Sequence, residues 1–308
     1  MNTNKTKKIF IDTDCGMDDI IAISMLLLDT GTFIKGISTV RGLTSPIVGA
    51  NNLRKILRYL SKNISVAAGS SIPINPTRQT NRFPKQDIIN SSSLSFLDDL
   101  IGKTIRPVKT TGFCIEDYIF KSTTGGVDFL CLGPLTNVAK TINRYGDRFL
   151  KNINRLIIMG GAVFSPGNVP PQKKAEYNFF LDPEAANIVL GAEVPKILIA
   201  TDATRYVPVS TKSKKEIARL KPRKRACKLI QKIITANQKD FNYFYDPLTA
   251  GIIINPQIAT QSKKVALQTS IGYLNLGRCF LKNNQVNINL VTKIDKGKFF
   301  ALLSQNLK

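Results

Sequence analysis

Four aspartates lie close together near the start of the chain, in the segment DTDCGMDD: Asp12, Asp14, Asp18 and Asp19. The sequence holds 21 acidic residues among 308, so a window of eight residues contains about half of one on average. Carboxylates at this density repel one another unless a cation joins them, and oxygen-only ligands are typical of Ca²⁺ or Mg²⁺ sites. Helix capping would account for one or two of the four. The segment therefore predicts a site for a hard divalent cation.

The composition excludes several other kinds of active site. The sequence has no histidine, and its five cysteines are far apart with no CxxC pair. His-ligated metal sites, Ser-His-Asp triads and Cys-His dyads are therefore ruled out, and neither a zinc site nor a disulfide framework is expected. Proton transfer must rely on carboxylates, Tyr, Lys or Cys.

The elements that carry the aspartates are predicted to be a strand and the helix that follows it. Lys8–Asp14 (KIFIDTD) is an apolar run that ends in carboxylates, and Asp18–Leu28 has the apolar spacing of a helix. The first two aspartates share a face of the strand. The last two fall in the first helical turn, where the helix dipole favours anions. All four then lie at the carboxyl end of a strand, where open α/β sheets bind ligands.

Strands and helices are predicted to alternate along most of the chain. This pattern indicates an α/β fold with a single open, mostly parallel central sheet and helices on both faces. We expect one domain over residues 1–308. Further strands are predicted at Phe33–Val40, Ser65–Ala68, Gly126–Leu132, Leu156–Met159 and Lys196–Ala200, and helices at Pro46–Leu60, Pro134–Ile142 and Asp182–Leu190. Val265–Thr269 and Val286–Thr292 are predicted as later strands that could be antiparallel.

Six motifs in order along the chain resemble one protein family. They are DTDCGMDDIIAI from residue 12, LGPLTNVA from 132, IMGGA from 158, AEYN from 175, DPEA from 182 and YDPLTA from 245. Together they resemble the inosine-uridine-preferring nucleoside hydrolases, which cleave the N-glycosidic bond of ribonucleosides with water and a bound Ca²⁺. The likeness extends from residue 8 to about 255.

The resemblance implies a role for individual residues. Asp14, Asp19, Asp246 and the backbone carbonyl of Thr136 would ligate the calcium, and Asp14 would also be the general base for the attacking water. The residues that would bind the ribose are Asp18, at the 2′-hydroxyl, and Asn168, Glu176 and Asn178. Asn168 could instead be only a turn residue. Asp12 is expected to hydrogen-bond beside the ligands, and Asp182 is expected to cap a helix outside the site.

The sequence departs from the family pattern at four places. Tyr245 replaces the histidine that helps to protonate the leaving base, and a neutral tyrosine is a poorer acid near neutrality. Leu43 stands where many members have asparagine, and Cys15 where proline is usual. Lys173 and Lys174 lie in what looks like a short insertion. Because the calcium ligands are intact, two functions stay open: a calcium-dependent nucleoside hydrolase, or a non-catalytic or weakly active relative that binds calcium and a ribose-containing ligand.

The net charge of +23 has two interpretations. It can reflect a basic surface with no specific role, or an anionic ligand. We hypothesise that Arg41 and the stretch Lys212–Lys232 favour anionic or electron-poor substrates. The stretch lacks interleaved aromatic residues, so nucleic-acid binding is not expected.

The remaining expectations concern stacking, location and assembly. The aromatic candidates for stacking on a base are Phe164, Phe241, Tyr243 and Phe244, since the chain has no tryptophan. Apolar runs are too short for a membrane span, and the N-terminus does not resemble a signal peptide. We therefore expect a cytoplasmic protein that binds no membrane and forms a homo-oligomer, a dimer or a tetramer.

Overall fold

The central feature of the protein, seen in a computed structural model, is an eight-stranded sheet with the strand order β3-β2-β1-β4-β5-β6-β10-β7. The structure describes residues 6–78, 94–102, 114–236, 242–283, 287–305 and 307. Neighbouring strands of the large sheet are parallel except β7, which is antiparallel to β10 at one edge. The strands β8 and β9 form a separate antiparallel pair. The strands are β1 (Lys7–Thr13), β2 (Thr32–Thr39), β3 (Val66–Ala68), β4 (Val127–Cys131), β5 (Ile153–Met159), β6 (Lys196–Ile199), β7 (Ala259–Val265), β8 (Leu267–Thr269), β9 (Cys279–Leu281) and β10 (Ile288–Ile294).

Helices cover both faces of this sheet. They are α1 (Met17–Leu28), α2 (Pro46–Tyr59), α3 (Asp98–Ile101), α4 (Ile115–Thr123), α5 (Thr136–Tyr145), α6 (Asp147–Leu150), α7 (Tyr177–Leu181), α8 (Pro183–Gly191), α9 (Thr201–Thr204), α10 (Thr211–Ala218), α11 (Arg225–Thr235), α12 (Tyr245–Ile254) and α13 (Lys296–Gln305). One core contains α1, α2, α11 and α12. The other contains α4, α5 and α8.

Strand β1 shows why the sheet needs two layers of helices. Its side chains alternate between the faces, so Ile9 and Ile11 belong to the core beneath α1. Phe10 points to the opposite core, where its ring lies 5.0 Å from that of Phe129. A strand that is apolar on both faces must be covered on both.

The structure confirms the predicted mostly parallel α/β architecture and differs in detail near the C-terminus. The predicted strand Val265–Thr269 is divided, because β7 ends at Val265 and Leu267 begins β8 of the separate pair. The predicted strand Val286–Thr292 corresponds to β10, and Val286 itself lies outside the described residues. Within the described ranges, no helix has both the length and the apolar character that crossing a membrane requires.

Candidate functional site

The candidate site lies where the strand order reverses. β1 pairs with β2 on one side and with β4 on the other, which makes the carboxyl ends of β1 and β4 the switch point at which open sheets bind ligands. Asp14 follows β1 and is packed tightly between two loops. A Cβ on Gly42 would lie 2.0 Å from Asp14 Oδ2, and one on Gly133 would lie 2.9 Å from Asp14 N. Both positions therefore require glycine.

Three carboxylates converge from the first turns of two helices. Asp18 and Asp19 belong to α1, and Asp246 belongs to α12. One oxygen of each lies within 4.8 Å of the others. Asp19 is fixed by the hydroxyl of Thr13 and by the N–H of Gly16, which donates to Asp19 Oδ2 at 2.9 Å. The two helix dipoles favour negative charge at this point.

Asp14 lies beside this trio and not within it. Its Oδ2 accepts the N–H of Leu43 at 2.9 Å, which draws the carboxylate toward the loop after β2. Burial raises the pKa of Asp14, and hydrogen bonds from Leu43 and from the Asp19 carboxyl oppose that rise. The predicted ligands Asp14, Asp19 and Asp246 are thus neighbours, and the structure adds Asp18 to the group.

The electrostatics of the cluster fit a bound cation. Burial, followed by the charge of Asp14, raises the pKa of Asp18 to about 7, and burial also raises the pKa of Asp19 and Asp246. None of the ion pairs between described residues involves these carboxylates. Asp246 Oδ1 is buried and has no hydrogen-bond partner among the described residues. An oxygen left in that state suits a hard cation.

Thr136, whose carbonyl is the predicted fourth ligand, begins α5 and is buried. Its hydroxyl donates to Asp182 Oδ2 at 2.6 Å. Asp182 caps α8 as expected, because its Oδ1 accepts the N–H of Ala185 at 3.0 Å. Asp12 also behaves as expected: its carboxylate accepts from Ser38 and from the Asn137 side chain.

Two of the predicted ribose ligands lie on or next to α7. Glu176 caps the helix: Oε1 accepts the N–H of Asn178 at 2.9 Å, and Oε2 accepts that of Gly161 at 2.8 Å. Burial raises the pKa of Glu176 to about 7, although these backbone donors oppose the rise. The amide nitrogen of Asn178 donates to the carbonyls of Leu132 and Met159, at 3.2 and 3.1 Å. These contacts connect the ends of β4 and β5.

Asn168 and Tyr245 are neighbours. Asn168 Oδ1 accepts the N–H of Tyr177, the first residue of α7, at 2.9 Å. Burial raises the pKa of the Tyr245 phenol above its usual range, a hydrogen bond with Asn168 opposes this, and the charge of Asp18 adds to it. Tyr245 therefore stays protonated near neutral pH and can act as a hydrogen-bond donor. Its ring lies 5.6 Å from that of Tyr243.

The predicted cationic contributors form no ion pair with the carboxylates among the described residues. Arg41 Nη1 donates to the carbonyl of Ser71 at 3.4 Å. Within the basic stretch Lys212–Lys232, Arg225 Nη1 donates at 2.9 Å to the carbonyl of Tyr59, the last residue of α2. This contact places the Arg225 guanidinium at the C-terminal end of α2.

The aromatic residues that were candidates for base stacking lie in different environments. Phe244 is fully buried and packs against Phe299, so it belongs to the core. Phe164 is 52% exposed, and Lys263 Nζ lies 4.9 Å from the centre of its ring. Phe241 lies outside the described residues. Tyr243 is the candidate that contacts another residue of the site.

Sequence reasoning missed Asp202, which shapes the loop after β5. Asp202 is buried, and its two oxygens accept the N–H groups of Val163, at 2.9 Å, and Phe164, at 2.7 Å. This loop leads to Asn168. Its place shortly after β6 marks the end of a buried strand, but no motif marks the backbone N–H groups that it binds.

Comparison with known proteins identifies a family. The family model described as inosine-uridine preferring nucleoside hydrolase matches residues 9–301. A protein named probable uridine nucleosidase 2, from Arabidopsis thaliana, is 28% identical over 90% of this chain and 86% of its own length. The pyrimidine-specific ribonucleoside hydrolase RihA of Shewanella woodyi is also 28% identical, over 98% of both chains.

Solved structures share the fold. The inosine-uridine preferring nucleoside hydrolase of Bacillus anthracis aligns with a TM-score of 0.82 and 23% identity, covering 98% of this chain and 99% of that one. A plant nucleoside hydrolase, PpNRh1, aligns with a TM-score of 0.81 and 22% identity over the same shares. At this level of identity the structural likeness supports the architecture alone.

Proposed function

Because this chain belongs to the inosine-uridine preferring nucleoside hydrolase family, we propose that it hydrolyses ribonucleosides to ribose and free base with the help of Ca²⁺. One observation carries the calcium part: Asp246, which belongs to the carboxylate cluster, has a buried oxygen, Oδ1, with no partner among the described residues. Removing water from several like charges is costly unless a cation compensates.

The proposed ligands are Asp14, Asp19, Asp246 and the carbonyl of Thr136. Asp18 lies within the same 4.8 Å cluster and is half-buried, unlike the other three aspartates. This exposure supports its role as the contact to the ribose 2′-hydroxyl. When bound, Ca²⁺ would supply positive charge that keeps the carboxylates ionised and would orient the attacking water.

Asp14 is the proposed general base. It accepts a proton from water as the water oxygen bonds to C1′ of the ribose, and the C1′–N bond breaks with its electron pair moving to the base. The N–H of Leu43 holds Asp14 Oδ2, which leaves Oδ1 to receive the proton. Base catalysis of this kind contributes about 10²–10⁴-fold.

The carboxylates around the sugar stabilise the reaction electrostatically. The transition state of glycosidic cleavage resembles an oxocarbenium ion, so the negative charges of Asp14, Asp18 and Glu176 favour it. Asn168 and Asn178 are the proposed hydrogen-bonding partners of the ribose hydroxyls. The contacts of Asn178 to the ends of β4 and β5 support a rigidly placed amide.

Tyr245 is the proposed hydrogen-bond donor to the leaving base. Because its phenol keeps its proton at neutral pH, it can stabilise a departing base by donation but transfers a proton poorly. Tyr243 lies beside it and can border the same pocket. This weaker acid is also the observation that favours the second candidate, a relative that binds calcium and a ribose-containing ligand with little or no turnover.

We take the proposed substrate preference from the names of the relatives. The relatives from Arabidopsis thaliana and Shewanella woodyi are named for uridine and for pyrimidine ribonucleosides, so uridine is the first substrate to test. Arg41 would favour a 5′-monophosphate over the neutral nucleoside if its guanidinium reaches the substrate. In that case Arg41→Ala lowers the ratio of kcat/KM between the two substrates, and an unchanged ratio excludes the role. Cytoplasmic location and dimeric or tetrameric assembly stay predictions of the sequence, as does the single domain.

The decisive experiment measures both products. Purified full-length chain is incubated with uridine, cytidine, inosine or adenosine, with Ca²⁺ or after removal of divalent cations, and free base and reducing sugar are quantified. Asp14→Asn is the control for contaminating activity. The proposal expects equal amounts of base and ribose, dependent on Ca²⁺ and lost in Asp14→Asn. Saturable binding of a nucleoside without either product supports the second candidate instead.

A further inference from the structure

A single buried carboxylate, Asp182, fastens three segments of the chain beside the proposed calcium site. Its Oδ1 caps α8 through the N–H of Ala185. Its Oδ2 accepts the Thr136 hydroxyl at 2.6 Å and the N–H of Ile74 at 2.9 Å. The oxygen that is not needed for the helix cap therefore holds the start of α5 and the loop after β3.

The start of α5 is held from the other side as well. The next residue, Asn137, donates from Nδ2 to Asp12 Oδ1 at 2.8 Å and accepts the N–H of Ser70 on its Oδ1, also at 2.8 Å. Successive residues of one helical turn thus contact the strand before the site and the loop after β3. Each of these donors and acceptors forms a directional hydrogen bond with one partner.

Thr136 needs a fixed position for a reason of its own. The Thr136 carbonyl is the only proposed calcium ligand that belongs to the backbone, so no rotamer change can bring it to the ion. Moving this oxygen requires moving the first turn of α5. The hydroxyl of the same residue is the group that Asp182 holds, and both residues are buried.

We propose that Asp182 is a positioning residue for cation binding: by holding the Thr136 hydroxyl and the Ile74 N–H on one oxygen, it sets where the Thr136 carbonyl lies. The inference rests on the proposed function, since it assumes that this carbonyl is a ligand. Partners of this kind, which touch the ligand and not the metal, typically change metal affinity by about 10–100-fold when they are removed.

Two substitutions at Thr136 test the hydrogen bond between its hydroxyl and Asp182. Thr136→Val keeps the backbone carbonyl and the branched Cβ and removes the hydroxyl, whereas Thr136→Ser keeps the hydroxyl. Calcium affinity of the metal-free, full-length chain is measured by titration calorimetry. Thr136→Val is expected to weaken calcium binding by about 10-fold or more, and Thr136→Ser to stay close to wild type. Asp182→Asn retains an oxygen for Ala185 but loses the second acceptor, and is expected to resemble Thr136→Val.

A matched control separates positioning from general loss of stability. Ser210 caps the exposed helix α10, where its Oγ accepts the N–H of Ser213 at 3.0 Å, so Ser210→Ala removes a helix cap elsewhere in the chain. Its melting temperature without calcium should fall while its calcium affinity stays unchanged. In the double variant Asp182→Asn with Thr136→Val, the loss of affinity should be no larger than in Asp182→Asn alone, because that substitution already removes the acceptor of the Thr136 hydroxyl.

The outcomes distinguish this inference from the proposed function. Wild-type affinity in Thr136→Val, or in an Asp182→Asn variant that remains folded, overturns the positioning role and leaves the calcium site intact. Additive losses in the double variant also overturn it. If the wild-type chain itself binds no calcium, the proposed metal dependence fails and this inference fails with it.

Discussion

We call the side of the central sheet where its parallel strands begin the amino edge, and the side where they finish the carboxyl edge. Buried charged groups have different partners at these two edges. At the amino edge, where β4 and β5 begin, Asp128 Oδ2 accepts from Arg155 Nε at 2.8 Å and from its Nη2 at 2.6 Å. At the start of β6 the ammonium of Lys196 donates to the carbonyls of Ala192 and Val194. At the carboxyl edge, Asp14, Asp19 and Asp246 are buried and belong to no ion pair among the described residues.

The difference shows which edge is complete without a ligand. Charges at the amino edge are paired or hydrogen-bonded by the protein itself, which is the usual condition for buried charge. The carboxyl edge accumulates like charges that destabilise one another. Proteins retain such clusters where a bound ion or a substrate compensates for them. The comparison therefore supports the proposal that the chemistry takes place at the carboxyl edge, whereas the contacts of Asp128 and Lys196 at the amino edge are structural.

The largest expected effect is on catalysis at the carboxyl edge. Asp14→Asn should lower turnover of the best nucleoside by about 10²–10⁴-fold, because base catalysis alone has that value, and loss of a proposed metal ligand adds to it. Tyr245→Phe should lower turnover less, since the phenol is a weak acid. Steady-state kinetics on both variants checks this. Equal losses would make Tyr245 an essential acid.

The next effect is on stability and concerns the backbone at Cys15, between Asp14 and Asp18. Cys15 has φ of +59°, in the left-handed region, and its N–H donates to Thr13 Oγ1 at 3.0 Å. Proline, which is usual at this position in the family, has neither that φ nor an N–H. Cys15→Pro should therefore destabilise the chain by about 3 kcal/mol or more, measured by urea unfolding. Cys15→Ala, which keeps the N–H, is the matched control, and a stable Cys15→Pro would show that the loop adopts another conformation.

A third effect is a pH dependence that calcium removes. Burial raises the pKa of Asp12, Asp18 and Glu176 to about 7 in the folded, metal-free chain, whereas unfolded carboxyls titrate near about 4. The folded state then holds more protons between these values, so these groups make the metal-free protein less stable as pH rises from about 4 to about 7. The stabilisation by Ca²⁺, measured as the difference in unfolding free energy with and without it, should grow over this interval. If the difference in unfolding free energy with and without Ca²⁺ stays constant over this interval, the result would contradict the proposed binding of Ca²⁺ by the carboxylate cluster.

The smallest change in stability per pH unit belongs to the amino edge, where a single group titrates. Burial lowers the pKa of Lys196 to about 8, below the value of about 10.4 for an unfolded lysine. The unfolded state binds more protons between these values, so Lys196 makes the protein more stable as pH rises through them, by at most about 1.4 kcal/mol per pH unit. Urea unfolding of wild type and Lys196→Met should show this slope only in wild type. Identical slopes would mean that the amine is solvated.

Much of this arrangement could be predicted from the sequence because it depends on local signals. The aspartates at the end of β1, the helix cap at Asp182 and the alternation of strands and helices all follow from short-range patterns. The strand order and the pairing of Asp128 with Arg155 depend on contacts between distant segments, which periodicity does not encode. The left-handed conformation of Cys15 was also hidden, because non-glycine residues seldom adopt it.

The same distinction between local and long-range signals applies to the candidate site. The motifs indicated which residues belong to it, but not how their hydrogen bonds are used. Glu176 caps α7 with the same oxygens that were expected to bind ribose, and Asp202 was missed because its partners are backbone N–H groups of another loop. Such partners carry no sequence signal of their own.

Calcium titration of the metal-free, full-length chain, with one substitution at each edge of the sheet, tests whether a cation completes the carboxyl edge. We expect one Ca²⁺ bound per chain in wild type, the same in Asp128→Asn, and no measurable binding in Asp246→Asn, because Asp246 carries the buried oxygen without a partner. Elemental analysis of the protein as purified should agree. Absence of calcium binding in wild type, or unchanged binding in Asp246→Asn, would contradict the claim that the carboxyl edge is completed by a cation.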